Sequence, residues 1–118
     1  MLKIISKSML NLAVGTAALL LTGSAYAACM SIGCTGVYVE RLYTYVSGQI
    51  LIGTSGDETL MSCEAAEGKY ATLNHSEPAA DIIYSTLLAA QMANKRVYIR
   101  TDEKSKGCKI VYVTLDKQ

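Results

Sequence analysis

VYVERLYTYV (residues 37–46), then SG (47–48), then QILIGT (49–54) decides the fold class. Both runs are rich in β-branched and aromatic residues, and the Ser47-Gly48 turn signal between them marks two strands of a hairpin. The alternation of the first run is imperfect: Val37 and Val39 share one parity, Leu42 and Val46 the other. A bulge near Glu40-Arg41 reconciles the two halves, because one extra residue moves every later side chain to the opposite face. Working outward, Ser55 to Glu58 is a solvated turn, and Leu60 to Cys63 extends the strand character. Lys69 to Leu73 is a short third strand. RVYIRT (96–101) alternates cleanly, Val97 and Ile99 against Arg96, Tyr98 and Arg100, and KIVYVTL (109–115) closes the chain across the charged turn 102–107.

One helix interrupts the strands. Ile83, Leu87 and Ala90 recur at helical spacing, flanked by Tyr84, Leu88 and Gln91. Asn74 or Ser76 is expected to cap it, Pro78 fits its first turn, and Asp81 suits the positive end of the helix dipole. Asn94 can take the left-handed conformation that ends a helix, with Lys95 and Arg96 at the negative end. The order β-β-β-α-β-β is that of an OB-like five-stranded antiparallel barrel, mainly β with one helix. A helix packed across an antiparallel meander has the same linear pattern.

Residues 1–27 read as a secretory signal peptide: Lys3 and Lys7, an apolar run from Met9 to Leu21, and small Ala25 and Ala27 before the cut. The apolar run, interrupted by Asn11, Gly15 and Thr16, is too short for a membrane anchor. Tyr26 stands where a lipoprotein signal needs Leu, which argues against lipid on Cys29. The expected mature chain is one domain, residues 28–118, in the periplasm or secreted, with no later transmembrane segment. Its nine basic and ten acidic side chains leave −1 net, too little field for nucleic acid.

Four cysteines in so small an exported chain read as two disulfides. Of the three pairings, Cys29–Cys34 with Cys63–Cys108 is favoured: a short local loop, and a long one tying mid-chain to the end. Neither a CxxC pair nor a second histidine accompanies His75, so no metal, no cofactor and no catalytic residue is expected, and the protein reads as a non-enzyme. His75 reads as a surface-loop residue, Asp57-Glu58 as solvated rather than calcium-binding, and Lys104, Lys106 and Lys109 as a solvated hairpin tip.

Tyrosine supplies all the aromatic bulk, since Phe and Trp are absent. Tyr43 and Tyr45 share one strand face, and Tyr98 shares another with Arg96 and Arg100. On an exposed sheet these five side chains suit a binding patch and stacking on sugars. The competing expectation is that the tyrosines fill the core and the arginine stems cover it.

Ile83-Tyr84-Ser85-Thr86-Leu87-Leu88-Ala89-Ala90-Gln91, then Lys95-Arg96-Val97-Tyr98-Ile99-Arg100, then Cys108-Lys109-Ile110-Val111-Tyr112-Val113 resemble small exported proteins of gammaproteobacteria with no assigned function. More distantly, the element order, the helix followed by V-x-I-R and the disulfides are similar to OB-fold B subunits of AB5 toxins of the subtilase-cytotoxin type. That resemblance implies a pentameric ring binding cell-surface glycans, with no glycan-binding residue matched to a position here. The function expected is a small exported binding domain whose partner is a glycan or an envelope protein, compatible with a homo-oligomer. The alternative is a monomeric periplasmic protein-interaction or inhibitor module without sugar affinity.

Overall fold

The computed structural model describes residues 27–118. The expected signal peptide, apart from its last residue, lies outside the described residues. Ala28, the expected first mature residue, opens the first strand.

The domain is mainly β with one helix and two disulfides. In chain order the elements are β1 (Ala28–Met30), β2 (Gly33–Thr44), β3 (Gln49–Thr54), β4 (Glu64–Ala65), β5 (Ala71–Asn74), α1 (Ala80–Ala93), β6 (Arg96–Thr101), β7 (Lys106–Gly107) and β8 (Ile110–Thr114). An antiparallel sheet runs β5-β3-β2-β6-β8, with β1 paired to the start of β2. β4 and β7 form a separate two-stranded parallel pair. The main sheet is not closed into a barrel. Its edge strands approach at one parallel bridge, Thr72 to Lys109, where the Thr72 N–H donates to the Cys108 carbonyl at 3.0 Å.

β2 organises the sheet. Its first half pairs with β6 and its second half with β3, and its register against β3 shifts between Val39 and Arg41. This is the bulge that the broken alternation predicts. Val37 and Val39 are buried before it, and Leu42 packs on the core after it. Val46 does not follow Leu42 inward: β2 ends at Thr44, and Val46 is exposed in the turn.

The core is aliphatic. Ile52, Leu87, Ile99 and Val37 are its largest fully buried hydrophobic side chains, each worth roughly 1.5–3 kcal/mol of burial. α1 contributes Ala80, Leu87 and Ala90, with Ile83 and Tyr84 packed at the margin. Asn94 ends the helix in the left-handed conformation (φ 53°, ψ 50°), as its residue type suggests. The N-terminal expectation fails. Ala79 is the cap residue and has no side-chain bond, because Asn74 instead accepts from the Ser76 N–H and hydroxyl and builds the turn before Pro78.

Two further features differ from the sequence pattern. Residues 28–36 carry no strand pattern in the sequence, yet β1 and the start of β2 form a hairpin in which Cys29 lies opposite Cys34. At Gly33 an added Cβ would run into the Ile99 carbonyl oxygen, so only glycine lets this hairpin lie against β6. Leu60 to Cys63 is not strand; Glu58–Leu60 forms a 3-10 turn capped by Asp57, whose carboxylate accepts from the Thr59 N–H. Thr59 bonding holds the Asp57 carboxyl below its ordinary range.

Cys63–Cys108 joins the segment after this turn to the start of the β8 region, across 45 residues. Closing so long a loop removes unfolded-state entropy. Replacing both cysteines by serine is expected to cost about 3–4 kcal/mol, read as a lower urea midpoint with a steeper slope, because the uncrosslinked unfolded chain exposes more surface. A loss below ~1 kcal/mol would show that the bridge is incidental.

Candidate functional site

The bulge determines which β2 side chains face outward. Beyond it Arg41, Tyr43 and Tyr45 lie opposite the buried face, and Arg41 pairs across the ladder with Gly53. Tyr70, immediately before β5, lies over Gly53: a Cβ there would stand 3.2 Å from its ring. The missing side chain makes room for the tyrosine, which is buried and whose hydroxyl accepts from Arg41 Nη1 at 3.1 Å.

The rings form a continuous array. Tyr43 and Tyr45 have centroids 4.7 Å apart, and Tyr43 meets Tyr70 edge-on at 6.1 Å. Lys69 Nζ sits 5.7 Å from the Tyr70 ring centroid, a cation–π distance. Tyr43 and Tyr45 are both exposed. The neighbouring Tyr43 hydroxyl is the main reason the Tyr45 hydroxyl is pushed up to about 12, followed by partial desolvation and the nearby Glu67 and Tyr70.

A groove of about 340 Å³ adjoins this array. Glu40 and Arg41 line one side, the end of β3 another, and Lys69 and Tyr70 a third, with Glu58 beneath. Glu58 is not solvated, as a charged turn suggested, but buried. Its Oε1 accepts from the Thr54 N–H at 2.7 Å and the Thr54 hydroxyl at 2.8 Å. The 3-10 turn folds this carboxyl back under β3, where Thr54 supplies the partners that burial demands.

The second expected set lies on another part of the sheet. Arg96, Tyr98 and Arg100 alternate with the buried Val97 and Ile99, as the pattern predicts. Arg96 pairs across the ladder with Tyr38, and Arg100 with Tyr112. Tyr98 and Tyr112 have ring centroids 5.9 Å apart. The two tyrosine sets flank different neighbours of β2, so the structure does not gather the five expected residues into one patch. It joins each pair or triplet to residues not singled out in the sequence: Arg41, Lys69 and Tyr70 on one side, Tyr38 and Tyr112 on the other. The Tyr43–Tyr70 contact crosses two ladders, so sequence spacing carries no signal for it.

His75 is a surface residue, with Nε2 3.3 Å from Asp81 Oδ1. Tyr45 and Tyr84 line the same shallow depression. Among the described residues no group of three His, Cys, Asp or Glu side chains could hold a metal ion, and no helix is long and apolar enough to cross a membrane. The disulfides are consistent with an oxidising compartment.

The influence of Tyr43 on Tyr45 can be checked directly. Replacing Tyr43 by Phe removes the neighbouring hydroxyl while keeping the ring, so Tyr45 should ionise at lower pH than in the parent, seen in a phenolate absorbance titration. An unchanged titration would show that the hydroxyl contact does not raise Tyr45.

No protein-family model, no curated protein and no solved structure matches this chain.

Proposed function

We propose that this chain is an exported, non-catalytic binding domain of OB type that recognises a glycan through the Tyr43, Tyr45 and Tyr70 array. The array carries the reading: three tyrosines in mutual contact, with Arg41 and Lys69 beside them. Tyrosine rings present apolar faces to the C–H bonds of a sugar, while their hydroxyls and the two cations bond its oxygens.

The OB reading is supported by the strand order β5-β3-β2-β6-β8, with the helix between β5 and β6. It is supported too by the lone parallel bridge from Thr72 to Lys109, the place where a five-stranded barrel would close. OB-folds bind oligosaccharides on the face of their second and third strands and the adjoining loops. Here the tyrosine array lies beside β3 and β5, the corresponding strands. Export is supported by the pattern of residues 1–27 and by two disulfides.

A glycan array probed with the oxidised mature protein tests the reading. Binding is expected, and Tyr43→Ala with Tyr45→Ala should weaken it at least tenfold, since an aromatic hot spot is worth roughly 2 kcal/mol or more. A blank array, or binding untouched by the double variant, would overturn it.

A specific observation favours a second reading, protein interaction or self-association. Val111, Tyr112 and Leu115 are exposed on or beside the edge strand β8, and Ile82 and Met92 on α1. Native mass spectrometry separates self-association from a monomeric interaction module. A ring-sized oligomer is expected if these surfaces join copies, and a monomer removes self-association. The same spectrum should show a chain beginning at Ala28 and lacking four hydrogens; a retained residue 1–27 segment would overturn export by cleavage.

A further inference from the structure

We infer that the groove over Glu58 is a subsite for a neutral pyranose ring, which deepens the glycan reading above and rests on it. The floor of the groove is the first observation. Glu58 is 5% exposed, and both of its hydrogen bonds fall on Oε1. Oε2 has no hydrogen-bond partner among the described residues, yet no buried side-chain oxygen or nitrogen there lacks one. Oε2 therefore reaches solvent, and the groove that Glu58 lines is its outlet. A carboxyl so deeply set, with one oxygen fixed and the other open, is a preorganised acceptor.

The charges are the second observation. Glu40, Glu58, Arg41 and Lys69 all line this groove. Among the described residues the one ion pair is His75 with Asp81, so these four groups do not pair with one another. Their formal charges cancel. A sugar acid would bring its carboxylate against the Glu58 Oε2, and a cationic ligand would meet Arg41 and Lys69. A neutral polyol suffers neither repulsion, because each hydroxyl both donates to a carboxylate and accepts from a cation. At about 340 Å³ the groove falls at the small end of the ~300–1,000 Å³ typical of ligand clefts, suited to one ring. Tyr70 connects it to Tyr43, so further sugars would continue along the tyrosine array.

The test is an amide NMR titration of the oxidised mature protein. The probes are methyl galactoside, methyl mannoside and N-acetylglucosamine, with sialyllactose alongside. At least one neutral probe should shift the amides of Gly53, Thr54, Lys69 and Tyr70. Glu58→Gln, Glu40→Gln and Lys69→Ala should each weaken that binding about tenfold, the loss of one charge-assisted hydrogen bond. Glu40 and Lys69 are exposed, so their variants keep the test valid should Glu58→Gln fail to fold. Groove shifts from sialyllactose alone would overturn the neutral assignment. Glycan binding that maps elsewhere, or is unchanged in all three variants, would overturn the subsite while leaving the glycan reading intact. A blank glycan array together with no shift from any probe would overturn both.

Discussion

One extra residue in β2 determines the arrangement of the rest. Glu40 has no partner in the ladder between Val39 and Arg41, so the strand bends and changes face there. β6 pairs with β2 up to Tyr38 and β3 from Val39 onward, and the same strand buries Val37 and Val39 before the bulge and packs Leu42 on the core after it. Without the bulge, the parity of Val37 and Val39 would carry Arg41, Tyr43 and Tyr45 into the core. At the bulge the Glu40 carbonyl accepts from Gln91 Nε2 of α1 at 3.3 Å. The helix is thus tied to the point at which the sheet turns.

A second constraint holds the far side. Gly107 and Cys108 both adopt positive φ, 89° and 50°. For cysteine this conformation is uncommon and costs roughly 1–3 kcal/mol, so something must hold it. The Cys63 bridge fixes its side chain, and the Thr72 N–H takes its carbonyl. A Cβ on Gly107 would stand 3.3 Å from Thr72 Oγ1, so the glycine also lets this turn come close to β5. The long disulfide therefore places the start of β8 beside β5, in addition to shortening the unfolded chain.

Local patterns made much of this legible. The alternation of 96–101, the apolar spacing of the helix, Asn94 at its end and the parity break at Glu40 each follow from residue type and period, and each is found. The favoured cysteine pairing is found as well. What escaped depended on distant partners. Residues 28–36 are too small and polar to announce a hairpin; the closeness of Gly33 to Ile99 becomes visible only once β6 lies beside it. Glu58 reads as solvated because nothing nearby in sequence reveals that the Thr54 N–H and hydroxyl will receive it. The array around Tyr43 was half legible: the shared face of Tyr43 and Tyr45 follows from spacing of two, whereas Tyr70 reaches them across two ladders.

The absence of Phe and Trp bears on both stability and function. Tyrosine would have to fill the core in their place, but burying a phenol demands a partner for its hydroxyl. Of the described tyrosines Tyr70 alone is buried, and its hydroxyl is met by Arg41. The core is left to Ile, Leu, Val, Ala, Met61 and the bridged cysteines, whose smaller side chains remove less apolar area from water than aromatic rings do. A domain this small then has little margin, and covalent closure at Cys29–Cys34 and Cys63–Cys108 supplies what the aliphatic core lacks. With the core closed by aliphatics and bridges, Tyr38, Tyr43, Tyr45 and Tyr112 remain exposed. By reducing the need for aromatic burial, the disulfides allow the rings to stay on the surface, where the proposed glycan site needs them.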